Sequence, residues 1–318
     1  YNRLIENFDL NSLNLGGNMD LKSIYEGKRF GEILFDEPLK DYTTWGIGGP
    51  ADVLVKPHKE KELQDLLIFN NENGIHTTVI GRGSNLLITD KGIRGCVLVL
   101  ADNYDYISLE DTELTVFAGT KLNRAALYAI ENKLTGMEEV SGIPGSVGGA
   151  VSMNAGAYNK EIKDICINVK AFDLLGNEYN FTNEQMNFSY RHSKIFEQDL
   201  IVSSATFKLS YDTENKAQEK YDDYTNRRET KQPLDKKSAG STFKRPEGSY
   251  ASKLIDECGL RGYRIGDCQV SEKHCGFIIN TGDATSREML DFIEEVAGIV
   301  KEKTGFTLER EVKLIGDL

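Results

Sequence analysis

The chain has 318 residues, 39% of them hydrophobic and 28% charged, enough for two domains or three small ones with separate cores. A formal net charge of −12 excludes nucleic-acid binding through a general basic surface, and no apolar run reaches membrane-spanning length. The first thirty residues lack the pattern of a secretory signal, and five cysteines without a Cys-x-x-Cys pair suit reduced thiols in a cytoplasmic protein. The chain begins at Tyr1, so Met19 reads as lying near the natural start, with residues 1–18 an extension.

In chain order, 51–56 alternates as a strand, and Glu60–Asn73 carries Leu63, Leu66, Leu67 and Phe69 at helical spacing before Gly74. A strand over 77–80 runs into the turn Gly81-Arg82-Gly83-Ser84-Asn85. Strands follow over 96–100 and 113–117, then a helix over 121–132 through Leu122, Ala125, Ala126, Ala129 and Ile130. A second glycine patch occupies 142–149, followed by Asn154-Ala155-Gly156-Ala157-Tyr158. Strands over 166–174 and 178–181 form a hairpin about Gly176-Asn177, and 200–209 is another strand. The segment 213–228 is charged and nearly without aliphatic residues, a solvated or linking helix, which puts a domain boundary near 210. Helices over 249–258 and 286–303 follow, the second with Met289, Phe292, Ile293, Val296, Ile299 and Val300 on one stripe, and 307–315 closes the chain as a strand. There are no internal repeats. The alternation from about 40 to 135 fits an α+β layer arrangement.

Gly142-Ile143-Pro144-Gly145-Ser146-Val147-Gly148-Gly149 has four glycines in eight positions. Backbone this bare lets a bulky anion approach the amides, which can form a concave nest for phosphate. Two such turns suggest a ligand with a long phosphate-bearing body, although either patch alone reads equally well as a tight turn. Neither patch is Gly-x-x-x-x-Gly-Lys-Ser/Thr nor Gly-x-Gly-x-x-Gly, which argues against a P-loop nucleotidase and a Rossmann domain. Only four histidines exist (His58, His76, His192, His274), none at metal-ligand spacing, so a metal-dependent mechanism is not expected. Cys275 beside His274 is expected to be an ordinary buried thiol, since adjacent side chains point apart. Three segments hold reactive side chains: Ser189–Ser193, 239–246 and 308–313. On its own each is more often a surface turn or a solvated strand face. From Arg227 to Lys253, however, eight basic and three acidic residues give a local +5 in an acidic chain, suited to concentrating an anionic substrate such as a nucleotide diphosphate.

The ordered set of Tyr42–Gly49, Gly81–Asn85, Gly142–Ala150, Met153–Tyr158, Ser189–Ser193, Gly240–Pro246, Val270–His274 and Glu309–Val312 resembles the UDP-N-acetylenolpyruvoylglucosamine reductase family almost end to end. These are flavoenzymes that make UDP-N-acetylmuramate for bacterial peptidoglycan and so serve cell wall, shape and division. The resemblance implies an α+β fold with a two-subdomain FAD-binding domain of the vanillyl-alcohol-oxidase/PCMH type plus a C-terminal α+β substrate domain. The corresponding boundaries are 1–40 (extension and start of the first subdomain), 41–210 and 211–318. It implies non-covalent FAD held by Gly81, Arg82, Gly83, Ser84, Asn85, Gly142, Pro144, Gly145, Ser146, Gly148, Gly149, Asn154, Gly156, Ala157 and Arg228, with NADPH as electron donor. Arg191 and Glu311 match the residues that stabilise the enolate, and Ser241 matches the proton donor. Lys244, Arg245, Lys253 and His274 are expected at the diphosphate or sugar. A cytoplasmic monomer acting on a UDP-sugar, with no membrane or nucleic-acid partner, completes the expectation.

Two departures stand out. His192 sits where the family more often has Asn or Asp, and the short interval from Arg191 to Arg228 lacks the tyrosine-bearing substrate loop of one subgroup, so the chain resembles the shorter, second subgroup. The rival readings are an FAD-dependent alcohol or aldose oxidase of the same fold and a non-catalytic nucleotide-binding module. No histidine lies in either glycine patch to tether a flavin, as many such oxidases require. Arg191, Ser241 and Glu311 would have no role in a module that performs no chemistry.

Overall fold

A computed structural model describes residues 20–317; the proposed extension 1–18 and Met19 lie outside the described residues. After a short helix, α1 (Leu21–Tyr25), the chain forms β1 (Glu32–Pro38), β2 (Pro50–Lys56), α2 (Glu60–Glu72), β3 (Thr77–Ile80), β4 (Leu86–Ile88) and β5 (Ile93–Val99). Strands β1, β2, β5 and β3 lie in that order in one sheet, with β1 antiparallel to β2 and the other two pairs parallel. Val53–Val55 of β2 and Cys96–Val99 of β5 are buried, the mark of central strands covered on both faces.

The chain continues through β6 (Ile107–Glu110), β7 (Glu113–Phe117), α3 (Leu122–Glu131), β8 (Leu134–Thr135), α4 (Glu138–Ser141), α5 (Val147–Ser152), β9 (Gly156–Ala157), β10 (Lys160–Glu161), β11 (Cys166–Phe172), β12 (Glu178–Thr182), α6 (Lys194–Glu197), β13 (Ile201–Lys208) and β14 (Ser210–Tyr211). A five-stranded antiparallel sheet runs β12-β11-β13-β7-β6. Leu63, Leu66 and Leu67 of α2, Val53 and Leu98 of the first sheet, and Val116, Val169 and Phe207 of the second share one core. Glu60 at the start of α2 ties that helix to the second sheet, accepting from Lys170 Nζ of β11 at 2.5 Å and from Ser203 Oγ of β13 at 3.0 Å.

The last stretch comprises α7 (Ala217–Lys231), β15 (Lys237–Ser241), α8 (Ala251–Glu257), β16 (Arg264–Ile265), β17 (Cys268–Val270), β18 (Phe277–Asn280), α9 (Ser286–Thr304) and β19 (Lys313–Ile315). α9 opens on a capping box, Thr285 with Glu288, and stops at Gly305 with φ +78. Its buried stripe, Met289, Phe292, Ile293, Val296 and Val300, packs with α8 and the β15-β18-β17-β16 sheet; Ile299 sits at the stripe's edge.

Two features bring distant segments together. Trp45, fully buried, joins this last core; its Nε1 donates to the Ile278 carbonyl at 2.9 Å, and its own carbonyl accepts from Asn280 Nδ2 at 3.0 Å. β19 pairs parallel to β4, with Lys313 opposite Leu86, which returns the chain end to the first glycine turn. The expected final strand over 307–315 is therefore shorter than its pattern. Residues 309–311 leave it to run beside 242–244, where Phe243 bridges Arg310 and Lys244 N–H donates to Glu309 O at 2.8 Å.

Candidate active site

The first glycine turn is shaped by what it passes. Gly83 has φ +60, and a Cβ there would overlap the Tyr42 carbonyl and stand 2.8 Å from Thr43 Cα. Only glycine lets the turn lie against 42–44, where Thr44 N–H donates to Gly83 O. Ser84 Oγ donates to the Pro144 carbonyl at 2.9 Å, locking the two glycine turns edge to edge.

The second turn is less open than its composition suggests. Val147 N–H donates to Thr120 O and Gly148 N–H to Ala118 O, each at 2.9 Å. These bonds, with Ser146 Oγ facing Gly149 N–H, narrow what the loop can offer an anion to its Gly145–Ser146 end and to Gly149. Gly148 is bare because a Cβ would sit 2.8 Å from that of Ala118. Gly142 is bare because the Arg228 side chain lies where its Cβ would be, with Nε 3.0 Å from that point.

The turns border a cavity of about 370 Å³. Its lining combines apolar side chains (Val79, Leu100, Ala118, Leu122 and Ile201), bare main chain (Gly81–Asn85, Pro144–Ser146, Gly148, Gly149, Gly156 and Ala157) and a polar set of Arg191, Arg228, Ser241, Glu311 and Lys313. Apolar surface, bare main chain and cationic groups in one cavity suit the ring systems and diphosphate of a flavin dinucleotide.

Arg191 sits at the tip of a two-residue hairpin, where Ser189 and His192 exchange backbone bonds at 3.1 and 3.2 Å. Its φ of +56 is rare for a side-chain-bearing residue and is held by that hairpin. Arg191 Nε donates to Glu311 Oε1 at 2.7 Å, both side chains being mostly buried. That bond uses Nε; the two Nη groups carry the other four donors of the fork. Ser241 owes its direction to a β-bulge: Ser238 faces Ile279 and Ser241 faces Phe277, one residue more than regular pairing allows. Gly240 at φ +75 supplies the kink. The next residue, Thr242, takes Glu311 N–H on its carbonyl at 2.9 Å, and its Oγ1 accepts from Ile278 N–H. Serine and glutamate thus ride on adjoining rungs of one ladder.

Several expected site residues serve other ends. Gly142 lines a neighbouring hollow on the outer side of its loop. Asn154 is fully buried beneath the site, bonded to Glu161, Ser189 O and Lys163 N–H, and is scaffold to the hairpin carrying Arg191. Lys244, Arg245, Lys253 and His274 stand outside the cavity lining. Lys244 pairs with Glu309 at 3.0 Å and Lys253 with Glu257 at 3.7 Å, while His274 Nδ1 accepts from Gly276 N–H. His192 turns to Glu197 at 2.9 Å, holding that carboxyl below its usual range. Arg228, on a helix that reads as solvated, is buried, which pulls its guanidinium down from its ordinary value. All five cysteines are buried free thiols, and burial pushes Cys275 up to about 11, so it is no nucleophile at neutral pH.

Lys313, in the reactive segment 308–313 but given no role of its own by the sequence, also lines the cavity. Lys313 holds its ammonium 3.9 Å from the Phe196 ring centre, and burial, helped by Lys244, lowers its pKa. The β4–β19 pairing that puts it there is between distant segments, and nothing local in the sequence announces it. Among the described residues there is no acidic, His or Cys cluster suited to a metal, and no helix long and apolar enough to cross a membrane.

The cavity and its walls define a class, a flavin-dinucleotide oxidoreductase, and comparison with known proteins agrees. Residues 51–181 match an FAD binding domain, and residues 232–315 match the C-terminal domain of UDP-N-acetylenolpyruvoylglucosamine reductase. The reductase of Clostridioides difficile is 46% identical over 90% of this chain and 94% of its own length; that of Caldanaerobacter subterraneus is 45% identical over 90% and 95%. The crystal structure of the reductase (MurB) from Thermus caldophilus, 34% identical, superposes with a TM-score of 0.74 over 89% of this chain and 98% of that one. The chain belongs to the UDP-N-acetylenolpyruvoylglucosamine reductase family.

Proposed function

We infer that the protein reduces UDP-N-acetylglucosamine enolpyruvate to UDP-N-acetylmuramate with NADPH, in the synthesis of peptidoglycan precursor. The observation that carries this reading is the single cavity joining both glycine turns to the Arg191–Glu311 pair and Ser241. FAD suits the cavity's apolar and bare main-chain lining, with Gly81–Asn85, Gly145–Ser146 and Gly149 as its cradle. When bound, it supplies a hydride, taken from NADPH and delivered to the enolpyruvyl β-carbon.

The chain's own side chains handle the charge and proton that follow. Hydride addition at the β-carbon builds negative charge on the α-carbon and carboxylate. The Arg191 fork, fixed by Glu311 and its strained hairpin, meets that charge without reorganising. Glu311 aims the guanidinium through its Nε, leaving the two Nη groups to face the substrate carboxylate. Ser241 Oγ gives its proton to the α-carbon; a hydroxyl is a weak acid, but a carbanion-like centre held against it is a strong enough base.

The same proposal divides the chain at about residue 210 into a FAD-binding part of two subdomains and a substrate part, and it has the enzyme work as a cytoplasmic monomer. The test is NADPH oxidation by the purified flavoprotein. Consumption that requires added UDP-N-acetylglucosamine enolpyruvate supports the reading. Flavin reduction by an alcohol with oxygen uptake overturns it in favour of an oxidase.

A further inference from the structure

The helix α7 has almost nothing apolar to hold it in place. It carries no Leu, Ile, Val, Met or Phe, and of its 15 residues only Ala217 and Arg228 are buried. It also falls between the two matched segments, 51–181 and 232–315. What it has instead is a stripe of another kind. Ala217, Tyr221, Tyr224 and Arg228 follow one another at steps of four, three and four residues, so they share one face. Two of them make contacts with the first half of the chain. The Tyr221 hydroxyl accepts from Asn123 Nδ2 of α3 at 2.8 Å, and the Tyr224 ring lies 4.4 Å from that of Tyr158, tilted by 33°.

Tyr158 stands where a tyrosine is poorly suited. β9 and β10 pair with Ala157 opposite Lys160, which leaves Tyr158 and Asn159 as a two-residue hairpin loop with φ +51 and +65. A loop that needs positive φ at both positions favours glycine, asparagine and aspartate, and a ring-bearing residue adopts it at a cost. Backbone strain of this kind persists where the side chain is required in that place, and here the ring reaches α7.

One turn beyond Tyr224 the same face delivers Arg228 to the cavity. Its guanidinium is buried, and among the described residues no carboxylate pairs with it. Gln232, which ends the helix, also lines the cavity, and its Oε1 is buried without a partner among the described residues. A buried cation and a buried amide oxygen left unpaired are unfavourable, and a ligand that brings an anion and an N–H relieves both.

We propose that Tyr158 and Tyr224 are positioning residues for the cofactor: their stack docks α7 so that Arg228 and Gln232 stand in the cavity for the polar groups of a flavin dinucleotide. The proposal rests on the FAD reading above. It gives the strained hairpin and the solvated helix one shared purpose, holding two polar groups where the protein itself offers them no partner.

The experiment titrates apo-protein into FAD and follows the quenching of flavin fluorescence, with no turnover involved. Tyr158→Ala and Tyr224→Ala are each expected to raise the Kd of FAD about three- to tenfold, the range an aromatic pair supports. Tyr224→Phe keeps the ring and should restore the wild-type value. With Arg228 and Gln232 both replaced by alanine, Tyr224→Ala should add less than about twofold, because the residues it positions are gone. An unchanged Kd in Tyr158→Ala and Tyr224→Ala overturns the proposal. So does a full effect of Tyr224→Ala in the background lacking Arg228 and Gln232, which would mark a general loss of structure. Wild-type apo-protein that takes up no FAD would instead remove the cofactor reading, and the proposal with it.

Discussion

Replacing Gly83 by alanine tests the flavin cradle where its geometry is least forgiving. At φ +60 an L-residue costs about 1–2 kcal/mol. The new Cβ overlaps the Tyr42 carbonyl and crowds Thr43 Cα, both main-chain atoms that cannot swing aside as the end of a side chain would. The turn has to retreat by roughly 1 Å to regain ordinary contact. The Thr44 N–H to Gly83 O bond, already 3.3 Å long, goes with it, at about 1 kcal/mol more. For the cofactor to seat, the relaxed turn must be pushed back, so about 2–3 kcal/mol reappears as weaker binding. That corresponds to a rise in the Kd of FAD of about 30- to 150-fold. The assay is quenching of flavin fluorescence as the apo-protein is titrated, with thermal unfolding run beside it. Gly298→Ala on α9 is the control, because the residue lies outside the cavity lining, its Cβ would meet nothing within 4 Å, and the chain should fold and bind FAD as before. A Gly83→Ala protein that binds FAD within threefold of wild type refutes the assignment of this turn to the cofactor.

Ser241→Ala should leave flavin reduction by NADPH almost intact while slowing reoxidation by substrate about 10²–10⁴-fold; equal damage to both half-reactions contradicts the acid role. Arg191→Lys cannot reproduce the Nε bond to Glu311 or the fork, and the same substrate step should fall about 10²–10³-fold in single-turnover measurements. Trp45→Phe strands the buried Ile278 carbonyl and should cost about 1–3 kcal/mol, read as a lowered denaturant midpoint at unchanged m-value. Burial holds His274 below its ordinary 6.5, and His76 likewise. Below pH 6.5 the unfolded chain therefore takes up protons that the folded one refuses, and stability falls as pH drops toward the depressed folded values. His274→Gln should flatten the fall in Tm between pH 6.5 and about 5; an unaltered slope would show that His274 does not titrate this way.

Local pattern carried much of the fold. The stripe of α9, with its Thr285–Glu288 cap and terminal glycine, is readable because one face, one start signal and one stop signal agree. The buried strands β2 and β5 and the helices α2 and α3 are legible for the same reason. The order of motifs, taken as a family resemblance, then pointed to Arg191, Ser241 and Glu311, which the cavity gathers.

What local pattern missed depends on partners far along the chain. Residues 307–312 alternate well enough for a strand, but Glu311 N–H is claimed by Thr242, so the segment follows β15 before joining β4. The charged segment ending in α7 looks solvated throughout, yet Arg228 is drawn inward because Gly142 leaves room for it. Glycines that read as ligand contacts include some that face the cavity, one, Gly142, that makes way for a neighbour instead, and one, Gly148, that does both. Composition cannot separate them, because both kinds need the same missing atom.

The indole of Trp45 has a consequence for dissecting the molecule. A fragment beginning at residue 211 would keep α8, α9 and the β15-β18-β17-β16 sheet but lose Ile47, Leu87 and the one large ring that the N-terminal half contributes to their core. It would face water with an open socket, an unmatched Ile278 carbonyl and an idle Asn280 amide. Cutting the chain between its two halves therefore yields no self-sufficient piece on the C-terminal side: the platform that carries Ser241 is completed from the opposite end of the polypeptide.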